Sequence, residues 1–273
     1  MITFKEVDYI SCRLLKENNK GRKHMYKLYK KSELWFSLIL IFIFSVLQSV
    51  SIEGNKQLGV EYSVSAVSTL VLAVFLYWFI RRNEMKNYYG FRRLQISYKH
   101  FLYFVPLLVL ISINLWNGVK INLPVTDSIC YLVYMLGVGF VEEVLFRGFL
   151  FRALAKDNIK MAVIISSVTF GLGHLFNLLN GSGMTLVANL CQVVGAVSVG
   201  FLFVMILLRG GSIIPCIATH AAIDMVSLFA NEDGLTTEKR ILFGVVRIAI
   251  VILYICVITG KKNGGEIHYE GRH

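Results

Sequence analysis

Six polar residues lie inside strongly apolar stretches of this sequence, where their types and spacing suit hydrolytic chemistry. They are Glu142, Glu143, Arg147, His174, His220 and Asp224. A charged side chain in hydrocarbon costs at least about 2.5 to 3.5 kcal/mol, so we expect these residues to face a protein interior or a water-filled cavity. Carboxylates and imidazoles together can activate water and stabilise an oxyanion. We therefore predict a water-activating site within the apolar part of the chain.

The stretch around Glu142 combines two carboxylates with a guanidinium. Glu143 and Arg147 are four residues apart, which on a helix lets them form a charge-assisted pair on one face. Glu142 is rotated away from that pair and is interpreted as a general base. Glu143 and Arg147 are then supporting residues that hold Glu142 in place, and the alternative for them is a purely structural ion cluster.

Two histidines follow in later apolar stretches. His174 comes four residues after Phe170, and His220 four residues before Asp224, so each pair shares a helix face. A lone histidine on an apolar face is usually a hydrogen-bonded core residue, but these two lie at a depth similar to that of the glutamates. Arg247 is interpreted as snorkelling to the outer interface or as pairing with a carboxylate such as Asp224.

The composition indicates a membrane protein rather than a soluble domain. The chain has 273 residues, of which 56% are hydrophobic and 16% charged, with three prolines. The net charge of +11 does not indicate a nucleic-acid partner, because the basic residues lie between apolar runs rather than on one soluble face. The five cysteines are widely spaced without a CxxC pair, which favours small buried residues over a zinc or redox site.

Windows of about 20 apolar residues predict an all-α polytopic fold of eight transmembrane helices. The predicted spans are Leu34 to Val50, Tyr62 to Ile80, Phe101 to Trp116, Ser128 to Phe151, Met161 to Leu179, Met184 to Leu208, Ser212 to Ala230 and Ile241 to Thr259. Residues 1–33 form a basic N-terminal segment, residues 34–259 the membrane domain and residues 260–273 a tail.

The basic residues predict the orientation of the spans. Of the 28 lysines and arginines, 22 lie in the two termini and in the connections after the second, fourth and sixth spans, and four lie in the other connections. Because basic residues near span ends are retained in the cytoplasm, we expect both termini to be cytoplasmic. The compact loops fit a multi-pass protein of a bacterial plasma membrane, and we expect the site to be reached from the cytoplasmic side.

Three motifs carry a resemblance to a known family. EExxxR stands at Glu142, Glu143 and Arg147, FxxxH at Phe170 and His174, and HxxxN/D at His220 and Asp224. In this order on separate spans they resemble the CAAX-processing and bacteriocin-processing (CPBP, Abi-type) intramembrane proteases. The resemblance covers a protease core at about residues 128–230, and the first three spans match by topology only.

The resemblance implies a glutamate-dependent peptidase. Glu142 with His174 would activate water, and His220 with Asp224 would stabilise the oxyanion. An ionised aspartate cannot donate a hydrogen bond, so we expect Asp224 to orient His220. No metal is required; if zinc is bound, Glu142, His174, His220 and Asp224 would be its ligands.

The implied substrate is a membrane-associated peptide or protein, and the implied processes are CAAX-type processing, bacteriocin or signal-peptide maturation, and self-immunity. Two alternatives stay open. One is a non-enzymatic immunity or partner-binding membrane protein, in which the polar residues only hold helices together. The other is a transporter that relays protons through these residues, although the sequence has no inverted repeat or broken helix of the kind common in transporters. The sequence leaves the oligomeric state open.

Overall fold

The described part of the chain is almost entirely helical. The computed structural model describes residues 25–93, 104–179 and 184–260, and within these ranges no strand is formed. Eight helices cover the eight predicted spans: α1 (Glu33–Leu58), α2 (Ser63–Arg82), α3 (Val105–Ser112), α4 (Val125–Ala155), α5 (Ile159–Gly173), α6 (Leu186–Gly210), α7 (Ile214–Ser227) and α8 (Thr237–Gly260). A polytopic all-α membrane protein is thereby confirmed.

The helices differ in whether they are long enough to cross a membrane. Six described segments are long and apolar enough, whereas α3 with its 3-10 extension (Val105–Leu115) and α7 are shorter. The count of eight spans and the cytoplasmic termini therefore stay predictions. Residues 1–24 and 261–273, which hold most of the predicted N-terminal segment and tail, lie outside the described residues, as do residues 101–103 of the third predicted span.

Local sequence signals set several helix ends. Ser32 caps α1 by accepting a hydrogen bond from the backbone N–H of Trp35, at 3.2 Å, and Asn158 caps α5 in the same way. Gly211 ends α6 with φ of 63°, a left-handed conformation that glycine adopts without strain. The fifth predicted span is interrupted, since α5 ends at Gly173 and a four-residue helix (Phe176–Leu179) follows a turn.

Small residues let the helices that carry the polar residues approach closely. A Cβ atom on Gly139 of α4 would lie 2.7 Å from the backbone nitrogen of Ala221 in α7. A Cβ atom on Gly171 of α5 would lie 2.2 Å from a methyl group of Val197 in α6. Such contacts are typical of helix packing in membranes, where the hydrophobic effect does not drive helices together and small residues let their backbones approach closely. They bring α4, α5, α6 and α7 together around one interior.

The connections gather on two opposite faces of the bundle. What we call the basic face consists of residues 25–32, 83–93, 156–158 and 211–213. It is held together by an ion pair between Lys156 and Glu33, at 2.8 Å, and by a hydrogen bond from the Ile213 N–H to the Gly90 carbonyl, at 2.9 Å. These residues are the parts of the predicted cytoplasmic connections that the structure describes.

What we call the polar face lies at the other ends of the helices. It consists of residues 59–62, 116–124, 174–179, 184–185 and 228–236. The Lys120 N–H donates to the Phe229 carbonyl at 3.0 Å, and the ring of Tyr62 contacts that of Tyr131 at 4.9 Å between centroids. Because α4 and α7 both run between the two faces, each site residue can be placed by its position along its helix.

Candidate active site

The glutamates of α4 lie where its regular helical geometry changes. The α-helical part ends at Glu143, and π-helical turns follow from Val144 to Leu150 before the α-helix resumes. Short π-helical segments occur frequently at functional sites. This change was not predicted from the sequence, but the predicted pair is present: Nη1 of Arg147 lies 2.9 Å from Oε1 of Glu143.

Glu143 also contacts the neighbouring helix. Its Oε1 lies 2.8 Å from Nδ1 of His220 in α7, so one carboxylate oxygen serves both a guanidinium and an imidazole. Neither Glu143 nor Arg147 exposes any side-chain surface. A contact such as that of Glu143 with His220 can orient a histidine ring. The expectation that Glu143 holds Glu142 in place stays a prediction.

Two aromatic rings surround Arg147 in place of further acidic partners. The guanidinium carbon lies 4.0 Å from the ring centroid of Phe170 and 5.4 Å from that of Phe203. Among the described residues, Nε and Nη2 of Arg147 have no hydrogen-bond partner. The buried charge is therefore stabilised by Glu143 and by cation–π contacts.

The second ring nitrogen of His220 faces the remaining carboxylates. Nε2 lies 3.7 Å from Oε2 of Glu142 and 3.3 Å from Oδ2 of Asp224. Phe170 contacts the His220 ring edge-to-face at 5.5 Å between centroids. His220 thus lies between all three acidic residues of the predicted site, with Glu143 on one ring nitrogen and Glu142 and Asp224 near the other.

His174 follows the C-terminal end of α5, towards the polar face. Its ring contacts Phe170 edge-to-face at 5.6 Å between centroids, and its carbonyl accepts a hydrogen bond from the Asn189 side chain at 2.9 Å. Within the described residues, no hydrogen bond or ion pair joins His174 to Glu142. The joint action of His174 and Glu142 on one water molecule therefore stays a prediction.

A cavity of about 460 Å³ joins the histidines to the polar face. His174, His220 and Asp224 line its inner part, and its outer part is lined by residues of the polar face, including Asn117, Asn122 and Asn231. This volume is within the range of typical small-molecule sites, about 300 to 1,000 Å³. Chemistry at His220 would thus be open to a substrate from the polar face.

The sequence reasoning missed the uncharged polar residues of the site. Asn114, Asn189 and Gln192 line or border the cavity from apolar stretches, and a search for buried amides as well as charges would have found them. The Asn114 amide donates to the Ile223 carbonyl at 2.9 Å, and its oxygen lies 3.3 Å from Nη2 of Arg247. Arg247 lines the cavity and forms no ion pair with Asp224.

The proposed zinc set does not fit this arrangement. Among the described residues, no group of three or more histidine, cysteine, aspartate or glutamate side chains is placed to hold a metal ion. Within the described residues, no hydrogen bond or ion pair joins His174 to the other three candidates. We therefore derive no step through a metal.

The comparison with protein families agrees with the motifs. Residues 124–226 match the family model described as Type II CAAX prenyl endopeptidase Rce1-like. The matched segment contains all three motifs, which confirms the resemblance predicted from them. Comparisons with curated proteins and with solved structures found no match.

Proposed function

We propose that this protein is an intramembrane endopeptidase that cleaves a membrane-associated peptide or protein, because residues 124–226 match the family model of the Rce1-like type II CAAX prenyl endopeptidases. The observation that carries the proposal is the cluster in which buried His220 lies between buried Glu143 and the partly buried Glu142 and Asp224, beside a cavity. Acidic residues and a histidine buried together within apolar helices are costly, and peptide hydrolysis gives each of them a role.

In the proposed reaction Glu142 is the general base. It takes a proton from a water molecule as the water oxygen adds to the carbonyl carbon of the substrate, which gives a tetrahedral oxyanion. The C–N bond then breaks, and the proton passes from Glu142 to the leaving amine, so that the carboxylate is regenerated. His174, from the cavity wall, would help to position the water.

His220 would stabilise the oxyanion through Nε2–H. Glu143 accepts the hydrogen of Nδ1 and is itself held by Arg147, which fixes the plane of the ring. Asp224, 3.3 Å from Nε2, would favour the imidazolium before the substrate binds. In the transition state the Nε2–H would donate its hydrogen bond to the oxyanion instead of to Asp224. This resembles the carboxylate–histidine pairing of hydrolases, with Glu143 in the orienting position first assigned to Asp224.

The geometry favours access from the polar face. The cavity is lined at its outer part by polar-face residues. Of the described lysines and arginines, seven lie on the basic face and one, Lys120, on the polar face. If basic connections are cytoplasmic, the substrate enters from the opposite side of the membrane. The cytoplasmic access expected from the sequence stays a prediction that this geometry does not favour.

Mass spectrometry of membrane and secreted peptides tests the proposal and names the substrate. Cells would carry the parent protein, Glu142→Gln or Glu53→Gln, the last being a matched control because Glu53 is an exposed residue near the polar-face end of α1. We expect fragments that occur with the parent and Glu53→Gln but not with Glu142→Gln. Identical peptide sets in all three strains would contradict the proposal and favour a non-enzymatic immunity protein. The fragments would also distinguish CAAX-type tails from bacteriocin or signal peptides.

A further inference from the structure

Arg247 in α8 is a cation in the cavity that has no acidic partner in the described part of the chain. Its guanidinium lines the cavity together with His220 and Asp224, and its hydrogen bond goes to the neutral amide of Asn114. It forms no ion pair with Asp224. Within the described residues, Arg247 therefore faces the cavity with no carboxylate bound to it.

The other arginine that lines the cavity is already paired, and so is a lysine of the polar face; a further lysine nearby, Lys239, donates to the Asn117 side chain at 3.4 Å. Arg240, which also lines the cavity, forms an ion pair with Glu232. Lys120 on the polar face forms one with Asp233, at 2.6 Å. Arg247 is thus the cavity cation that is left for a ligand in the part of the chain that the structure describes.

The surroundings of Arg247 hold the guanidinium in one place. Asn114 accepts from Nη2 of Arg247 and donates to the Ile223 carbonyl, so it connects Arg247 to the residue before Asp224. Gly195 of α6 makes room, because a Cβ atom there would lie 2.9 Å from Nη1 of Arg247. Both side-chain groups of Asn114 are used in this way, which makes it a positioning residue rather than a ligand-binding one.

A fixed guanidinium in a partly enclosed cavity suits a carboxylate, which it can bind through two parallel hydrogen bonds. We propose that Arg247, positioned by Asn114 and Gly195, is a subsite for a carboxylate of the substrate. This inference rests on the proposed endopeptidase function, and it gives the substrate an anchor beside Asp224. Two substrate groups share this chemistry, the C-terminal carboxylate of a peptide and an acidic side chain.

Binding of three acylated peptides tests the subsite without requiring cleavage. The probes are dodecanoyl-tetraalanine with a free C-terminal carboxylate, the same peptide as its C-terminal amide, and the amide with glutamate as its third residue. Purified protein with Glu142→Gln would be titrated with each probe in detergent. We expect a carboxylate probe to bind about 10- to 100-fold more tightly than the plain amide. The preferred probe identifies the substrate group.

Variants then assign the preference to Arg247. Arg247→Gln should abolish it, Arg247→Lys should keep part of it, and Arg240→Gln is the matched control that should keep all of it. Equal binding of all three probes would overturn the inference, as would a preference that survives Arg247→Gln. If Arg247→Gln does not fold, the inference is tested by the preference for a carboxylate probe in the protein with native Arg247 and by its reduction in Arg247→Lys.

The two proposals can fail separately. A carboxylate preference that depends on Arg247, in a protein that generates no new peptide fragments in cells, would refute the endopeptidase and leave the subsite. Cleavage by the parent with no carboxylate preference would refute the subsite alone.

Discussion

The Arg147→Met substitution removes the cation from a pair that has no exposed side-chain surface. It leaves the Glu143 carboxylate buried with His220 as its remaining partner. Methionine fills a similar space and can contact the rings of Phe170 and Phe203 through its sulfur. The substitution therefore changes charge more than packing.

The expected cost is large for a single substitution. Breaking a buried ion pair by removing one partner costs about 3 to 5 kcal/mol, because it leaves an uncompensated charge. The cation–π contact of Arg147 with Phe170, at 4.0 Å, contributes about 1 to 2 kcal/mol, which the sulfur–aromatic contact partly replaces. Combining Arg147→Met with Glu143→Gln removes the stranded charge but keeps an oxygen that accepts from His220, so we expect a coupling of about 2 to 3 kcal/mol.

Reversible unfolding in mixed micelles with increasing sodium dodecyl sulfate, followed by tryptophan fluorescence, would measure all members of this cycle. Lys56→Met is the control, because Lys56 and Glu53 form an exposed pair at 3.6 Å that should contribute little. The reasoning about the buried pair would be refuted if the costs of the two single substitutions summed to the cost of the double variant within about 0.5 kcal/mol.

Three further predictions concern packing, pH and orientation. Gly139→Ala should destabilise the fold by about 1 to 3 kcal/mol, because the new Cβ meets the backbone of α7, whereas Gly244→Ala has open space and should not; equal unfolding midpoints would contradict this. Burial raises the pKa of Tyr89 well above its ordinary value of 10.0. The free energy of unfolding should therefore fall as pH rises above 10.0, where the phenol ionises only in the unfolded chain. The same pH profile in Tyr89→Phe as in the parent would contradict this. On a cysteine-free background, Asn231→Cys should react with a membrane-impermeant maleimide added to intact cells, and Lys156→Cys only after permeabilisation; the reverse pattern would place the cavity mouth in the cytoplasm.

The features that the sequence predicted depend on local geometry. Apolar length alone located all eight helices, and the helical repeat alone predicted the contact of Glu143 with Arg147, because residues four apart share a face. The ordered motifs predicted a resemblance that the family-model match at residues 124–226 confirms.

The features that it did not predict depend on tertiary packing. The bond between Glu143 and His220 joins residues 77 positions apart, and it forms because Gly139 lets α4 and α7 approach. His174 lies at a helix end because α5 stops at Gly173, which hydropathy did not indicate. The cavity is formed in part by the connections of the polar face. Their packing against one another leaves no periodic pattern in the sequence, so it could not be predicted.

The most direct test of the central claim is the cleavage rate of purified protein in proteoliposomes, with a substrate identified from cells. Glu142→Gln should lower kcat by about 10²- to 10⁴-fold while helix content and unfolding midpoint stay close to the parent values. Glu53→Gln should cleave at the parent rate. Cleavage by Glu142→Gln at the parent rate would contradict the assignment of Glu142 as the general base, and with it the proposed mechanism.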